Sequence, residues 1–203
     1  MLKNFKVSVY LIFVLVTLCL MPSAFGAISP VAINIFAPVQ FPPEDFSVTG
    51  VRATALFGHQ RNMYGIDIAA IGNMTDLEFA GIAVAGGFNL THGNTSIIGA
   101  QVAGITNVNV QKTTVVGVQV AAVNNNQADS TIIGLQVAPI ANVSSHTTIY
   151  GFEVGLYNKA YEVNGFQIGL LNFTTSLHGL QIGLLNFNEK GLFSVCPVLN
   201  VGF

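Results

Sequence analysis

A pattern of apolar and polar positions recurs eight times between residues 65 and 187. Each repeat opens with glycine, continues with an apolar, a polar and an apolar residue, then a small residue, and ends soon afterwards at asparagine. Successive repeats begin 14 to 18 residues apart. The opening glycines are Gly65, Gly81, Gly99, Gly117, Gly134, Gly151, Gly165 and Gly179. A short period of this kind indicates one supersecondary unit per repeat, with neighbouring units stacked over a shared core.

The alternation within each repeat has the period of two that is typical of a β-strand with one buried face. We count the opening glycine as position zero. Positions one and three are then apolar in all eight repeats, and position two is polar in seven. We expect positions one and three to face the core and position two to face solvent. Val137→Asp should then unfold the protein, whereas Gln136→Asp should be mild.

Two further positions carry information about turns. Position four is Ala or Gly in every repeat, which indicates a bend or a close backbone approach. The closing asparagine is suited to a turn, and asparagines stacked in register could also form a ladder of side-chain amides. These asparagines are Asn73, Asn89, Asn107, Asn125, Asn142, Asn158, Asn172 and Asn186. No sustained helical period follows the N-terminal segment, so the sequence predicts an all-β protein.

Two all-β architectures fit the repeat. In a β-solenoid each repeat is one coil, and in an antiparallel outer-membrane β-barrel each repeat is one strand. A barrel should show a two-repeat pattern, because alternate strands end at different rims. Here every repeat ends in asparagine, which favours a solenoid-like stack of about eight coils. The barrel stays the alternative, because the chain ends at Phe203 behind alternating Val195, Leu199 and Val201. We expect capping strands over 27–64, the β-repeat region over 65–191 and a capping strand over 192–203.

The N-terminal segment 1–26 has the features of a secretory signal peptide. Lys3 and Lys6 precede an apolar run, and Ala24 and Gly26 are the small residues that a signal peptidase recognises. Cleavage after Gly26 would leave Cys196 as the sole cysteine and exclude an intrachain disulfide. An exported domain without disulfides fits a bacterial cell envelope. Five basic and nine acidic residues are then scattered over 27–203, which argues against nucleic-acid binding.

The repeats and the chain end resemble a family of bacterial surface-repeat proteins of unknown function. Its members have a signal peptide, repeated G-[LF]-Q-[ILV]-G-L-[LIV]-N phrases and a closing P-[LFV]-[LFI]-N-[FV]-[GS]-F. The stretches that match are 50–58, the phrases that open at Gly151, Gly165 and Gly179, and 197–203. Earlier repeats differ by having Ala at position four and longer links. The resemblance implies a location in the envelope or at the cell surface, and it implies no activity or catalytic residues.

The sequence offers little that suggests chemistry. None of its four histidines, His59, His92, His146 and His178, is paired with His, Cys or a carboxylate at metal-ligand spacing. We therefore assign no catalytic, cofactor-binding or metal residues and expect no cofactor. If the protein were an enzyme, Glu153 and His146 would be its least unlikely catalytic residues.

The predicted function is that of a non-enzymatic, exported β-repeat protein of the envelope, with a structural or interaction role. Its partner would be an envelope or extracellular component and not a nucleic acid, and its composition is compatible with membrane association. The alternative function is that of a small outer-membrane barrel acting as a pore. If binding is spread over the repeats, Gln119→Ala should weaken it slightly.

Overall fold

The computed structural model describes residues 27–203, so the signal peptide expected over 1–26 lies outside the described residues. The described chain is all-β. Its strands are β1 (Ile28–Phe36), β2 (Val39–Phe41), β3 (Ser47–Ala69), β4 (Gly72–Ala85), β5 (Phe88–Thr91), β6 (Asn94–Ala103), β7 (Thr106–Asn109), β8 (Thr113–Val120), β9 (Val123–Asn126), β10 (Ser130–Ile168), β11 (Leu171–Asn188) and β12 (Val195–Gly202). Among these residues there is no helix long and apolar enough to cross a membrane.

Successive repeats lie on one another in parallel. Gly117 of β8 pairs with Gly134 of β10, and Gly165 of β10 pairs with Gly179 of β11. Equivalent residues on either side of each glycine pair as well, so like positions form columns along the stack. The fold is therefore a β-solenoid, as the sequence predicts. The antiparallel barrel considered as the alternative is wrong, because the strands of neighbouring repeats run in the same direction.

Nine glycines with positive φ mark the successive coils, one more than the sequence pattern contains. They are Gly50, Gly65, Gly81, Gly99, Gly117, Gly134, Gly151, Gly165 and Gly179, with φ between 118° and 149°. A Cβ on Gly117 would collide with the carbonyl oxygen of Gly99 in the coil before it. Only glycine combines this φ with this close approach. The additional coil begins inside the segment 27–64, where the sequence analysis places capping strands.

Each coil consists of three short segments, which the coil of Gly99 illustrates. The first segment precedes the glycine in β6, the second follows it to Ala103, and the third is β7. Thr95 of the first segment and Gln101 of the second both reach Asn109 Oδ1 of the third, at 3.4 and 3.3 Å. The three segments therefore enclose a common interior.

The predicted orientation of the second segment is wrong. Gln101, Gln119 and Gln136 at position two are fully buried. Ile66 and Ile68, at positions one and three, are 44% and 50% exposed. The physical reason is the stacking: Gln119, for example, meets an equivalent amide in the coil before it and in the coil after it, so its hydrogen bonds are satisfied without water.

The apolar core is a column that the sequence analysis did not identify. It lies in the first segment, two residues before each glycine, and all of its members are buried. The column comprises Val48, Met63, Phe79, Ile97, Val115, Ile132, Ile149, Val163 and Leu177. Each of these side chains stabilises the fold by roughly 1.5–3 kcal/mol through burial, less for the smaller ones.

Antiparallel strands lie at both ends of the solenoid. β2 pairs antiparallel with β1 at the N-terminal end. β12 pairs antiparallel with β11 at the other end, with Val201 opposite Leu180. A strand in this direction does not continue the parallel columns, so it limits further stacking of coils on an open sheet edge.

Candidate functional site

The most extensive candidate site is on the outside of the second segments. We call the outward residues at positions one and three of the eight coils from Gly65 onward the apolar face. Half of them are exposed and half are half-buried. They are Ile66, Ile68, Ile82, Val84, Ala100, Val102, Val118, Val120, Leu135, Val137, Phe152, Val154, Phe166, Ile168, Leu180 and Ile182. The two rows contain no polar or charged side chain.

A second apolar feature adjoins this face at the corner between the second and third segments. We call it the apolar ridge, and its side chains are 45–65% exposed. The ridge consists of Ile71, Ile105, Ile140, Leu156, Leu170 and Leu184. In the last coils a groove of about 700 Å³ runs between the apolar face and the ridge, with the small residues of position four as its floor. The apolar surface therefore continues around the corner.

Aromatic side chains extend the outer apolar surface in the C-terminal coils. Phe152 stacks on Phe166 at 5.0 Å between ring centroids. On the third segments Tyr157 contacts Phe173, which stacks on Phe187 at 4.4 Å. The Phe152–Phe166 and Phe173–Phe187 stacks follow from the register, because their rings occupy equivalent positions in neighbouring coils, whereas Tyr157 lies opposite Leu171 and reaches Phe173 diagonally.

The corner between each third segment and the next first segment is polar. We call it the polar corner; it carries Asp76, His92, Lys112, Asp129 and His146. Because it joins the other two segments, it lies on the side of the coil away from the apolar face. Of the described residues 79–158, Lys112 and Asp129 are the charged side chains that are exposed, and both lie at this corner.

The polar corner brings two histidines together that are far apart in the sequence. His59 Nε2 is 2.7 Å from Asp76 Oδ1, and His92 Nδ1 is 3.6 Å from the same oxygen. The three residues lie in successive coils, so their proximity cannot be seen from sequence spacing alone. His92, His146 and His178 are exposed, and His178 lies within β11, opposite Asn164. Among the residues that the structure describes, no group of three or more His, Cys, Asp or Glu side chains could hold a metal ion.

An unbroken column of asparagines lines the interior. Each Nδ2 donates to Oδ1 of the next asparagine at 2.8–3.1 Å. The second Nδ2 hydrogen reaches a main-chain carbonyl, such as that of Val137 from Asn124 at 3.0 Å. The column is Asn73, Asn89, Asn107, Asn124, Asn142, Asn158, Asn172 and Asn186. The predicted amide ladder is therefore confirmed, except that Asn124 and not Asn125 belongs to it.

A second column is formed by position two. Gln119 Nε2 donates to Gln101 Oε1 at 2.8 Å, and Gln136 Nε2 donates to Gln119 Oε1 at 2.9 Å. The same arrangement returns between Gln181 and Gln167 at 2.6 Å. Gln119 is fully buried, so the expectation that Gln119→Ala would remove an outer binding contact is wrong.

Glu153 interrupts the glutamine column. Its Oε2 accepts from Gln167 Nε2 at 2.7 Å. Its Oε1 and the Oε1 of Gln136, the residue one coil earlier in the column, are both buried without a hydrogen-bond partner. Burial raises the pKa of Glu153 to about 8, against the effect of the bond from Gln167. At neutral pH the Glu153 carboxyl is protonated and has an O–H to donate toward Gln136. Without that proton, two acceptor oxygens would face each other at this step of the column.

The first two coils carry an ion pair where later coils have glutamine. Arg52 and Asp67 both occupy position two and are buried. Arg52 Nε donates to Asp67 Oδ1 at 2.7 Å, and Nη2 donates to Oδ2. Arg52 Nη1 also donates to the Met74 carbonyl at 3.0 Å. Burial raises the pKa of the Asp67 carboxyl, while the adjacent Arg52 guanidinium lowers it. The pair belongs to the interior and contributes to stacking.

The two catalytic candidates from the sequence lie in different environments. Glu153 is inside the glutamine column, and His146 is exposed at the polar corner. The structure therefore does not bring them together as an acid–base pair.

No protein-family model, curated protein or solved structure matches the chain. The class of protein that the fold defines is a β-solenoid with columns of amides in its interior and an apolar face on its exterior.

Proposed function

We propose that this chain is an exported, non-enzymatic repeat protein of the bacterial cell envelope that acts through its outer surface. The observation that carries the proposal is the apolar face. Its sixteen residues in eight coils are apolar, and none is buried. A contiguous apolar surface of this size marks an interaction site.

The interior supports a binding role over a catalytic one. Its polar side chains are arranged in columns that bond one another, and a carboxyl group without a water-accessible substrate has nothing to act on. Glu153 is the titratable side chain of the interior outside the Arg52–Asp67 pair, and it is fully buried. We expect no catalytic turnover.

Export is the second part of the proposal, and it rests on the sequence of residues 1–26. Mass spectrometry of the exported chain should find an N-terminus at Ala27. A chain recovered with residues 1–26, or cleaved before Cys19 of the apolar run and carrying a lipid on that cysteine, would contradict this part and leave the surface role to be tested separately.

Binding that is spread over a repeated face should change in small steps. Val84→Thr, Val102→Thr and Val120→Thr would each add one hydroxyl to the apolar face while keeping a β-branched side chain. We expect retention of the folded protein on a hydrophobic resin to fall progressively from the single to the triple variant. The matched control is Thr114→Val, an outward residue of the first segment. If the triple variant were retained as strongly as the parent, the apolar face would not be the binding surface.

A further inference from the structure

We infer that the partner of the apolar face and ridge is the acyl-chain region of a lipid bilayer. The solenoid would lie on the bilayer with its axis parallel to the bilayer plane. The inference rests on the proposed function, because it names the partner of the same surface.

Polar and apolar side chains are distributed unevenly around the coil. The apolar face and ridge occupy one side, and the polar corner with Lys112 and Asp129 lies on the side away from the face. The first segments also expose apolar side chains, such as Ile98 at 67%, but these stand beside outward Ser and Thr residues, so the face and ridge form the continuous apolar side of the coil. An amphipathic rod of this kind lies in the membrane interface, with its apolar side among the acyl chains and its polar side in water.

The polar groups beneath the apolar face need no water. The backbone hydrogen bonds of the sheet run between coils, from one second segment to the next. The amides of position two, such as Gln119, point inward and bond one another. Acyl chains cannot satisfy polar groups, and this surface presents apolar side chains over a sheet whose polar groups are already bonded.

The size and shape of the apolar surface favour lipid over a second copy of the chain. At ~4.8 Å per coil and ~3.3 Å per residue, eight second segments cover about 34 by 13 Å. A stable interface buries ~800 Å² of accessible surface on each partner, and the footprint of the apolar face, taken as a flat rectangle, is roughly half of that. The ridge side chains, up to 65% exposed at Ile105, lie at the corner beside the face. Lipid chains adapt to a ridge and a groove, whereas two rigid copies of this surface meet closely only where the ridge of one fits the groove of the other.

The distribution of charge indicates which forces hold the protein on the bilayer. Nine acidic and five basic residues are scattered over 27–203, and the face and ridge carry none of them. Attraction to anionic headgroups therefore contributes little, and binding should come from burial of apolar side chains. We expect the protein to bind vesicles of zwitterionic phosphatidylcholine, with little change when salt is raised from about 0.1 to about 1 M.

The absence of tryptophan from the sequence allows a site-specific test. Leu156→Trp would place one tryptophan on the ridge, and Gln127→Trp would place one at the exposed polar corner. With phosphatidylcholine vesicles that carry bromine on the acyl chains, we expect quenching and a blue shift for Leu156→Trp and neither for Gln127→Trp. Equal quenching of the two reporters would overturn the inference. It would show that the N-terminal segment or another part of the chain holds the protein on the vesicle.

Matched charge variants measure the contribution of the ridge. The double variant Leu170→Asp, Leu184→Asp should weaken vesicle binding at least about tenfold, because two apolar side chains no longer enter the acyl region. The double variant Gln111→Asp, Gln127→Asp adds the same charge at the polar corner and should change binding less than about twofold. Circular dichroism of both variants checks that the β-structure is retained.

Two results would overturn the lipid partner without overturning the proposed function. One is retention on the hydrophobic resin that depends on the apolar face, together with no vesicle binding; a protein partner would then occupy the face. The other is a dimer in light scattering that Leu170→Asp, Leu184→Asp dissociates, with no binding to vesicles. Loss of both resin retention and vesicle binding in the parent protein would contradict the inference and the proposed function together.

Discussion

The second segments of this solenoid bury polar side chains and expose apolar ones, whereas the first segments bury an apolar column. The asparagine column buries eight amides in one continuous chain of hydrogen bonds. The apolar face leaves sixteen apolar side chains at the surface. The comparison shows that stacking, and not hydrophobicity alone, decides which side of a strand is buried. A parallel register gives each buried amide an identical partner, so polar columns are stable where isolated polar groups would not be.

The largest effect is expected when one amide of the interior column is changed. Asn124→Asp replaces Nδ2, which donates to Val137 O and Asn142 Oδ1, by an oxygen. Two acceptors would then face a buried carboxylate, and we expect a loss on the order of 3–5 kcal/mol in the free energy of unfolding. Urea denaturation measures it.

The neighbouring residue provides the control for this change. Asn125 points outward and is half-buried, so Asn125→Asp should cost less than about 1 kcal/mol. If Asn125→Asp were the more damaging of the two, the position of the column in this coil would be incorrect.

The break in the glutamine column should make stability depend on pH. Folding raises the pKa of Glu153 from 4.5 to about 8. Its contribution to stability is fully present below the unfolded value and is lost as the pH rises through the folded value. We expect the free energy of unfolding to fall between these two pH values, by on the order of 2–5 kcal/mol.

Glu153→Gln should abolish this fall, because an amide can donate to Gln136 and accept from Gln167 at any pH. At pH values above the folded pKa the variant should be more stable than the parent. Denaturation curves recorded across the pH range, with Glu189→Gln at an exposed site as control, measure the difference. A parent and a Glu153→Gln variant with the same pH dependence would refute this account of the column.

The smallest effect is expected on the outer rows. Phe152→Ala removes a ring that stacks on Phe166 at 5.0 Å but is 46% exposed. We expect a loss of about 0.5–1.5 kcal/mol in thermal or urea denaturation. Ile168→Ala, on the same face without a stacked ring, should cost less. A loss as large as that of Asn124→Asp would mean that the outer rows, and not the interior columns, form the core.

Much of the fold could be predicted because the repeat records it directly. Equal phrases with one closing asparagine indicate parallel coils, and asparagines at one position per coil indicate an amide ladder. The coil of Gly50 does not match the repeat pattern, because it continues as Val51, Arg52 and Ala53 and has no asparagine at its end. The run Asn124-Asn125-Asn126 gives no local signal for which asparagine is inside.

The candidate site could not be predicted, because the alternation has two possible phases. The usual rule places Val137 inside and Gln136 outside. A signal against the rule was present: position two is Gln in five of eight repeats and seldom charged, which suits a buried amide better than a solvated face. The column of Ile132 and its equivalents before each glycine already supplies an apolar core. The His59–Asp76–His92 contacts likewise depend on the coil length and not on local spacing.

The most direct test of the inverted polarity is the free energy of unfolding of Gln136→Asp compared with that of Val137→Asp. Gln136 is fully buried, and Val137 is half-buried with its side chain on the apolar face. We expect Gln136→Asp to lose several kcal/mol, because its carboxylate is buried, and Val137→Asp to lose about 1 kcal/mol or less. A severe loss in Val137→Asp together with a mild one in Gln136→Asp would contradict the account.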